Sequence, residues 1–347
     1  MSDPAAVPTV PVHACPACGG GAFTVARAGV RDLRLGVPGR WSFRRCRGCG
    51  VVHLAPRPAV PADAYPDAYA QHHPPAPPAP LDPRAPLRRP RAWFRRWLLG
   101  AYGYRRFAVP RPLARLGRVA MLLPGVRLRA KRGFHLLPPA LEGGRLLDVG
   151  CGNGRFLALV RALGWQAAGV EPDPRSAAVA RRVSGADVHA SLAEGGFPAE
   201  SFDVITMNHV LEHVADPVAT LAECRRLLKP AGRLGVAVPN WRSLDHRVFG
   251  AHWHALEPPR HLLMFDRRSL AGLLGRAGFA VESIATTSVR ADAASFLASW
   301  SLRFGAPPPA PLTRLWALLG PVRDAVLPDR GGEIVAWAKK AGDPPLP

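Results

Sequence analysis

The stretch Arg145–Pro172, RLLDVGCGNGRFLALVRALGWQAAGVEP, decides the fold. A short apolar run, Leu146–Val149, leads into the glycine-rich turn Gly150-Cys151-Gly152-Asn153-Gly154. A helical pattern covers Arg155–Leu163, and a second apolar run, Ala167–Val170, ends on Glu171. That order is one strand–turn–helix–strand unit. A glycine-rich turn brings backbone close to a bound ligand, and an acid after the second strand accepts hydrogen bonds from a ribose. The glycines are spaced GxGxG, whereas dinucleotide sites favour GxGxxG. Asp148 at the turn would repel a pyrophosphate and attract an ammonium group.

Downstream the alternation continues. Arg175–Ser184 reads as a helix, Val188–Ala190 as a short strand and Phe202–Met207 as a strand. Pro217–Leu228 is an amphipathic helix, Arg233–Val238 a strand, and Ser269–Ala277 a helix with Gly278 just past its end. Ala280–Thr286 and Glu333–Ala338 read as the last two strands. Strands and helices in turn predict an α/β fold, a parallel-rich sheet with helices on both faces. Residues 288–331 interrupt the last strand pair with two apolar, arginine-bearing stretches, Ala293–Phe304 and Leu312–Leu327. A lid, a membrane-facing patch and a dimer contact are all compatible with them.

Upstream, Cys15-Pro16-Ala17-Cys18-Gly19 and Cys46-Arg47-Gly48-Cys49-Gly50 are two CxxCG units. Two residues between cysteines let both thiolates reach one ion. The pair of turns predicts a closed, structural zinc site on Cys15, Cys18, Cys46 and Cys49. Phe23–Ala28 and Arg40–Arg45 are expected to pair as strands of a small zinc ribbon. Residues 55–90 form a proline-rich joint, extended and without helix. From Arg84 to Arg132 there are 15 Lys and Arg and no acid, with Trp93, Phe94, Trp97, Leu98 and Leu99 among arginines. Such a helix either packs on the main domain with a basic rim or lies on an anionic membrane. No nucleic-acid motif accompanies the charge, so a nucleic-acid partner is not expected. The expected organisation is a ribbon over 1–54, a linker over 55–90, a basic aromatic segment over 91–141, and the α/β domain over 142–347 with an insertion at 288–331.

Composition agrees with this division. Of a formal net charge of +21, residues 1–142 carry +17, from 23 basic and 6 acidic side chains. Hydrophobic residues at 48% allow a sizeable core. No apolar run reaches the roughly 18–20 residues of a membrane span. The first residues lack the basic start and apolar run of a secretion signal. Paired CxxC units without such a signal point to metal rather than disulfides. A cytoplasmic location is expected, with peripheral contact to an anionic membrane left open.

The motif train then takes on a family likeness. Leu147-Asp148-Val149-Gly150-Cys151-Gly152-Asn153-Gly154, Val170-Glu171-Pro172-Asp173, Ser201-Phe202-Asp203-Val204-Ile205, His209-Val210-Leu211-Glu212-His213-Val214, Leu228-Lys229-Pro230-Ala231-Gly232 and Pro239-Asn240 resemble the successive motifs of class I S-adenosylmethionine-dependent methyltransferases. Phe249-Gly250 through Trp253, Pro259-Arg260-His261-Leu262 and Phe265 resemble a subgroup that carries an N-terminal CxxC…CxxC region. The resemblance implies a Rossmann-like seven-stranded sheet whose last strand is antiparallel, with S-adenosylmethionine as cofactor. It implies Asp148, Gly150, Cys151, Gly152, Asn153 and Gly154 around the methionine part, with Glu171 and Pro172 at the ribose. It further implies Ser191 and Leu192 beside the adenine, and Asn208 with His209 at the methyl-transfer site. Ala231 departs from the family's usual glycine, and 191–192 lacks its common acid.

Methyl transfer to a hydroxyl or an acidic carbon needs a base, and histidine serves near neutral pH. The candidates are His209, His213 and His261, with His252 and His254 behind them. His209 and His213 are four apart and share a helical face if a helix starts there. Glu212 with His213 could bind a metal, given a third ligand. The expected function is methylation, on oxygen or carbon, of a small molecule or a glycan or nucleotide-sugar precursor. The alternatives are a quinone- or lipid-type acceptor at the membrane and, in another class, a binding or nucleic-acid-binding protein that retains the fold.

Overall fold

The computed structural model describes residues 7–60, 65, 73–75, 90–107, 110, 115–116, 119, 136–287 and 292–341. Most of the expected basic segment, including the side chains of Trp93 and Phe94, and most of the proline-rich joint lie outside the described residues.

At the N-terminal end, β1 (Thr9–Val10) pairs with β5 (Arg57–Pro58). β2 (Phe23–Val30), β3 (Trp41–Cys46) and β4 (Val52–Ala55) form an antiparallel ribbon. Its apolar residues Trp41, Phe43, Val52 and Leu54 are buried. A fourth strand joins this sheet from far along the chain. Leu263 pairs with His53 and Met264 with Val52, so the ribbon is stitched into the rest of the protein by backbone hydrogen bonds.

α1 (Pro90–Ala101) follows. Its Trp97, Leu98 and Leu99 are buried with Tyr104, Phe107, Leu146 and Trp165, and Trp165 Nε1 donates to Tyr104 Oη at 2.9 Å. For these three residues the structure has the packed arrangement, not a free aromatic face.

The main sheet is laid down next. β6 (Arg145–Val149) and β7 (Gln166–Val170) flank α2 (Arg155–Ala162) in sequence. α3 (Pro174–Ser184) starts where the Asp173 carboxylate accepts from Ser176 N at 2.7 Å, with Pro174 at its first position. β8 (Val188–His189) and β9 (Phe202–Asn208) come next. α4 (Pro217–Leu227) is capped in the same way by Asp216. β10 (Leu228–Pro239), the short α5 (Leu244–Phe249) and β11 (Leu263–Met264) precede α6 (Arg267–Arg276), which opens on an Asp266–Ser269 capping box. β12 (Phe279–Thr287), α7 (Asp292–Phe304), α8 (Ala310–Val326) and β13 (Glu333–Lys340) complete the chain.

The seven strands run in the order β12-β13-β10-β9-β6-β7-β8. β6, β7, β8, β9 and β10 are parallel, and β13 is antiparallel to both neighbours. This is the Rossmann-like sheet expected from the sequence, last strand included. The chain leaves β6 toward β8 on one side and continues from β9 to β10 on the other. A crevice therefore opens at the carboxyl tips of β6 and β9, where such sheets bind ligands.

One ion pair ties the ribbon to this crevice. Arg260 and Asp32 both have side chains wholly withdrawn from solvent. Arg260 Nη1 donates to Asp32 Oδ2 at 2.7 Å and Nη2 to Oδ1 at 3.0 Å. Backbone N–H groups of Arg34, Leu35 and Val37 also donate to the same carboxylate. Burial works against the charge on Asp32, but Arg260 outweighs it and holds the carboxyl below its ordinary range. Removing one member of a buried pair strands the other. Asp32→Ala is expected to destabilise the protein by about 3–5 kcal/mol, measured by denaturant unfolding. A loss below about 1 kcal/mol would show that Arg260 does not depend on this partner.

Candidate active site

The turn after β6 takes its shape from three left-handed glycines, Gly150 (φ 69°), Gly152 (φ 55°) and Gly154 (φ 76°). A Cβ on Gly154 would lie 2.7 Å from Ala180 Cα, and one on Gly150 would lie 2.3 Å from a Val210 methyl, so larger residues are excluded. Glu171 closes the turn. Its Oε2 accepts from Gly152 N at 2.9 Å and its Oε1 from Asp173 N at 3.0 Å.

Asp148 lies below the turn, buried, and accepts from Thr206 Oγ1 at 2.7 Å. Burial, with the nearby charge of Glu171, pushes its pKa up to about 7 against the Thr206 hydrogen bond. The Cys151 thiol is pushed upward by burial and by the charges of Asp148 and Glu171, so it stays protonated. Ser191 Oγ accepts from Glu194 N at 3.0 Å just past β8, and Leu192 packs on the core. Pro172 is exposed beside Glu171. The predicted donor-side residues thus gather at the tips of β6 to β9, with Asn208 ending β9.

The acceptor-side histidines do not sit as expected. His209 and His213 share no helical face. His209 has φ 56°, Leu211–His213 is a single 3-10 turn, and α4 begins only at Pro217. The Asp216 cap and the proline at the first helical position set the helix start there. His209 is instead held between two carboxylates. Its Nδ1 is 3.1 Å from Glu212 Oε1 and its Nε2 is 2.6 Å from Glu333 Oε1, while 41% of the side chain remains exposed to the crevice. Burial opposes the charge, but hydrogen bonds and charges from Glu212 and Glu333 prevail and raise the pKa to about 10. This histidine is a cation at neutral pH.

His213 and His261 are the opposite case. Burial lowers both to about 3, so both rings are neutral. They meet edge to face with centroids 4.6 Å apart. His261 Nδ1 lies 2.8 Å from the Ala255 carbonyl, and His213 Nδ1 lies 3.0 Å from the Arg260 carbonyl and 2.9 Å from Tyr65 Oη. A ring that donates from Nδ1 to a carbonyl keeps its lone pair on Nε2. Glu212 adds an Oε2 that is buried without a hydrogen-bond partner. One ligand-type atom each from Glu212, His213 and His261 lies within 4.8 Å of the others, so His261 stands where a third ligand would be needed beside Glu212 and His213.

The four cysteines converge as the CxxCG units require. Cys15 Sγ is 3.6 Å from Cys49 Sγ, and Cys18 Sγ is 3.6 Å from Cys46 Sγ. All four ligand atoms fall within 4.8 Å of one another, and none is in a disulfide. A tetrahedral zinc with Zn–S of about 2.3 Å separates sulfurs by about 3.8 Å, so the set fits zinc.

Sequence reasoning missed Thr206, Glu333, Tyr65, Arg260 and Asp32. His73 of the proline-rich joint also reaches the site, with its carbonyl 3.4 Å from Asn153 Nδ2. His254, a weaker candidate base, is half-buried with Nδ1 3.0 Å from Ser295 Oγ of α7.

Residues 125–284 match the family model described as a methyltransferase domain. A ubiquinone biosynthesis O-methyltransferase of Cereibacter sphaeroides (strain ATCC 17029 / ATH 2.4.9) is 40% identical over 124 residues, covering 33% of this chain and 50% of the relative. Another from Rhodopseudomonas palustris (strain BisA53) is 32% identical over 158 residues, covering 41% and 60%. The chain spans about half the length of the curated relatives it matches. Among solved structures, geranyl diphosphate C-methyltransferase from Streptomyces coelicolor A3(2) aligns at 17% identity and TM-score 0.41, over 58% of this chain and 75% of that one. Between residues 125 and 284, where the glycine turn, Glu171 and all three candidate histidines lie, this chain is similar to methyltransferase domains.

Proposed function

We propose that the protein is an S-adenosylmethionine-dependent methyltransferase that acts on a hydroxyl of a quinone- or phenol-type small molecule. The observation that carries the methyl-donor reading is the left-handed GxGxG turn closed by Glu171, inside the stretch that matches methyltransferase domains. The names of the O-methyltransferase relatives favour a quinone-type acceptor over the glycan precursor also compatible with the sequence.

S-adenosylmethionine supplies an activated methyl on a sulfonium. The chain's task is to hold the acceptor in line with it and to take a proton. His213 and His261, neutral with Nε2 lone pairs, suit holding the acceptor hydroxyl by a hydrogen bond, while values near 3 make them weak proton acceptors, and Glu212, with Oε2 buried without a partner beside them, is the group placed to take the proton. His209, with both ring nitrogens taken by Glu212 and Glu333 at the tip of β9, suits a fixed wall beside the acceptor. The Cys15, Cys18, Cys46 and Cys49 site is read as structural zinc that keeps the ribbon rigid.

Calorimetry should detect S-adenosylmethionine binding, and Glu171→Ala should weaken it by about 10–100-fold, the worth of hydrogen bonds to a charged group. His261→Gln should lower kcat by about 100-fold or more with unchanged donor affinity. No binding by the intact protein would end the donor reading. Label from methyl-labelled donor appearing in nucleotide sugars rather than catechols would reverse the acceptor choice. Metal analysis should find about one zinc per chain, lost in the double variant Cys46→Ser, Cys49→Ser.

The buried histidines set a pH dependence. His213, His261, His246 and His254 all have pKa values lowered by burial, to about 3, 3, 4 and 4. Their contribution is complete above the unfolded value near 6.5 and is lost as pH falls toward the folded values, at about 1 kcal/mol each by pH 5.5. His209, Asp148 and Asp245, all raised, act in the other direction but are outnumbered by these four and His53, which burial also lowers. Melting temperature should therefore fall between pH 7.5 and 5.5, and a flat or rising profile would contradict the assignment of neutral buried rings.

A further inference from the structure

α7 lies outside the stretch that matches methyltransferase domains, but it carries two buried serines that meet the acceptor loop. Ser295 and Ser299 are one helical turn apart and share a face of α7. Ser299 Oγ accepts from His254 N at 3.0 Å. Ser295 Oγ lies 2.5 Å from Asp245 Oδ2 and 3.0 Å from His254 Nδ1. Asp245 belongs to α5 and is itself buried. The order of the protons follows from the chemistry of these groups. An ionised carboxylate only accepts, so the Ser295 hydroxyl donates to Asp245, at the length of a charge-assisted bond. Having given its one hydrogen, Ser295 accepts from His254, and the ring proton sits on Nδ1. Nε2 keeps the lone pair and has no partner among the described residues. The ring is half-buried, and burial lowers its pKa to about 4, so it is neutral at pH 7.

His254 stands with the acceptor-side histidines. The carbonyl of the next residue, Ala255, lies 2.8 Å from His261 Nδ1. The charge of His209 bears on His254 and His261 alike. We propose that His254 reads the acceptor, its Nε2 taking a hydrogen bond from a second O–H or N–H group of the substrate, and that Asp245 and Ser295 are positioning residues that hold the ring proton on Nδ1. This deepens the proposed function and rests on it for the reading of the crevice as the acceptor side. His213 and His261 also have Nδ1 against a carbonyl, so this wall presents lone pairs. A substrate with a single hydroxyl leaves most of them unpaired away from water, which costs more than one made bond is worth. The wall therefore favours a ring with two donors over the O-alkylated form of the same ring, which only accepts. An anchor for α7 alone would be indifferent to which nitrogen of His254 carries the proton.

The test is nitrogen NMR of the full-length protein labelled in its histidine rings, with His254→Gln identifying the His254 signals. In the wild type at neutral pH the proton should be on Nδ1, and Ser295→Ala should release it to Nε2. Catechol should move the Nε2 signal, whereas its dimethyl ether, which has no donor, should leave it in place. In methyl-transfer assays His254→Leu should cut the preference for catechol over phenol by about tenfold, the worth of one hydrogen bond, through KM rather than kcat. Ser295→Ala should show the same split. Should Ser295→Ala not fold, the wild-type spectrum and the catechol shift decide. A wild-type proton on Nε2, an unchanged tautomer in folded Ser295→Ala, or equal shifts with catechol and its ether would overturn the proposal. Calorimetry with S-adenosylmethionine on the same samples separates the two readings. A protein whose His254 answers to catechol without binding the donor fails only as a methyltransferase, and one that binds the donor while His254 stays silent fails only here.

Discussion

A guanidinium fully withdrawn from water requires its carboxylate, and the placement of the acceptor side depends on that requirement. Arg260 meets Asp32 through two hydrogen bonds and Glu257 through a third, at 3.3 Å. The adjacent residue is His261, and the Arg260 carbonyl lies against His213 Nδ1. The ribbon loop that carries Asp32 therefore fixes the backbone from which both neutral histidines are oriented. Such a pair is weak evidence for net stability, since an apolar pair of similar volume could serve as well. Its value here is register, because only one docking of the ribbon satisfies both charges.

Donor and acceptor sides are set by different physics. The donor turn is a backbone device, in which left-handed glycines and Glu171 shape a surface of N–H groups at strand tips. The acceptor side is a side-chain device. Two buried carboxylates favour the charged form of His209, while burial favours the neutral form of His213 and His261. Groups of one residue type are thereby biased toward opposite protonation states within one site.

What the sequence made legible follows the same division. The parallel sheet, the glycine turn, Glu171 and the two CxxCG units rest on local spacing, and local spacing is visible in a string of residues. The helix starts read at Arg175 and Pro217 fall within one residue of those observed, and the capping aspartates Asp173 and Asp216 that fix them emerge only in the structure. His209 was misplaced relative to His213 because its left-handed backbone carries no local signal in the sequence. Asp32 and Arg260 are 228 residues apart, and His209 and Glu333 are 124 apart. No periodicity connects such pairs. On sequence the aromatic run Trp97–Leu99 suits packing on the main domain slightly better than a membrane, and the neighbouring Tyr104, Phe107 and Trp165 bury it.

The pairing of Leu263–Met264 with Val52–His53 bears on how this chain can be divided. A zinc ribbon is commonly treated as a module to be cut off, grafted or exchanged. Here a cut anywhere in the joint after β5 would leave backbone N–H and C=O groups of the 263–264 segment without partners, and Arg260 without Asp32. A ribbon borrowed from elsewhere would have to bring both a matching strand edge and an acid at the right turn.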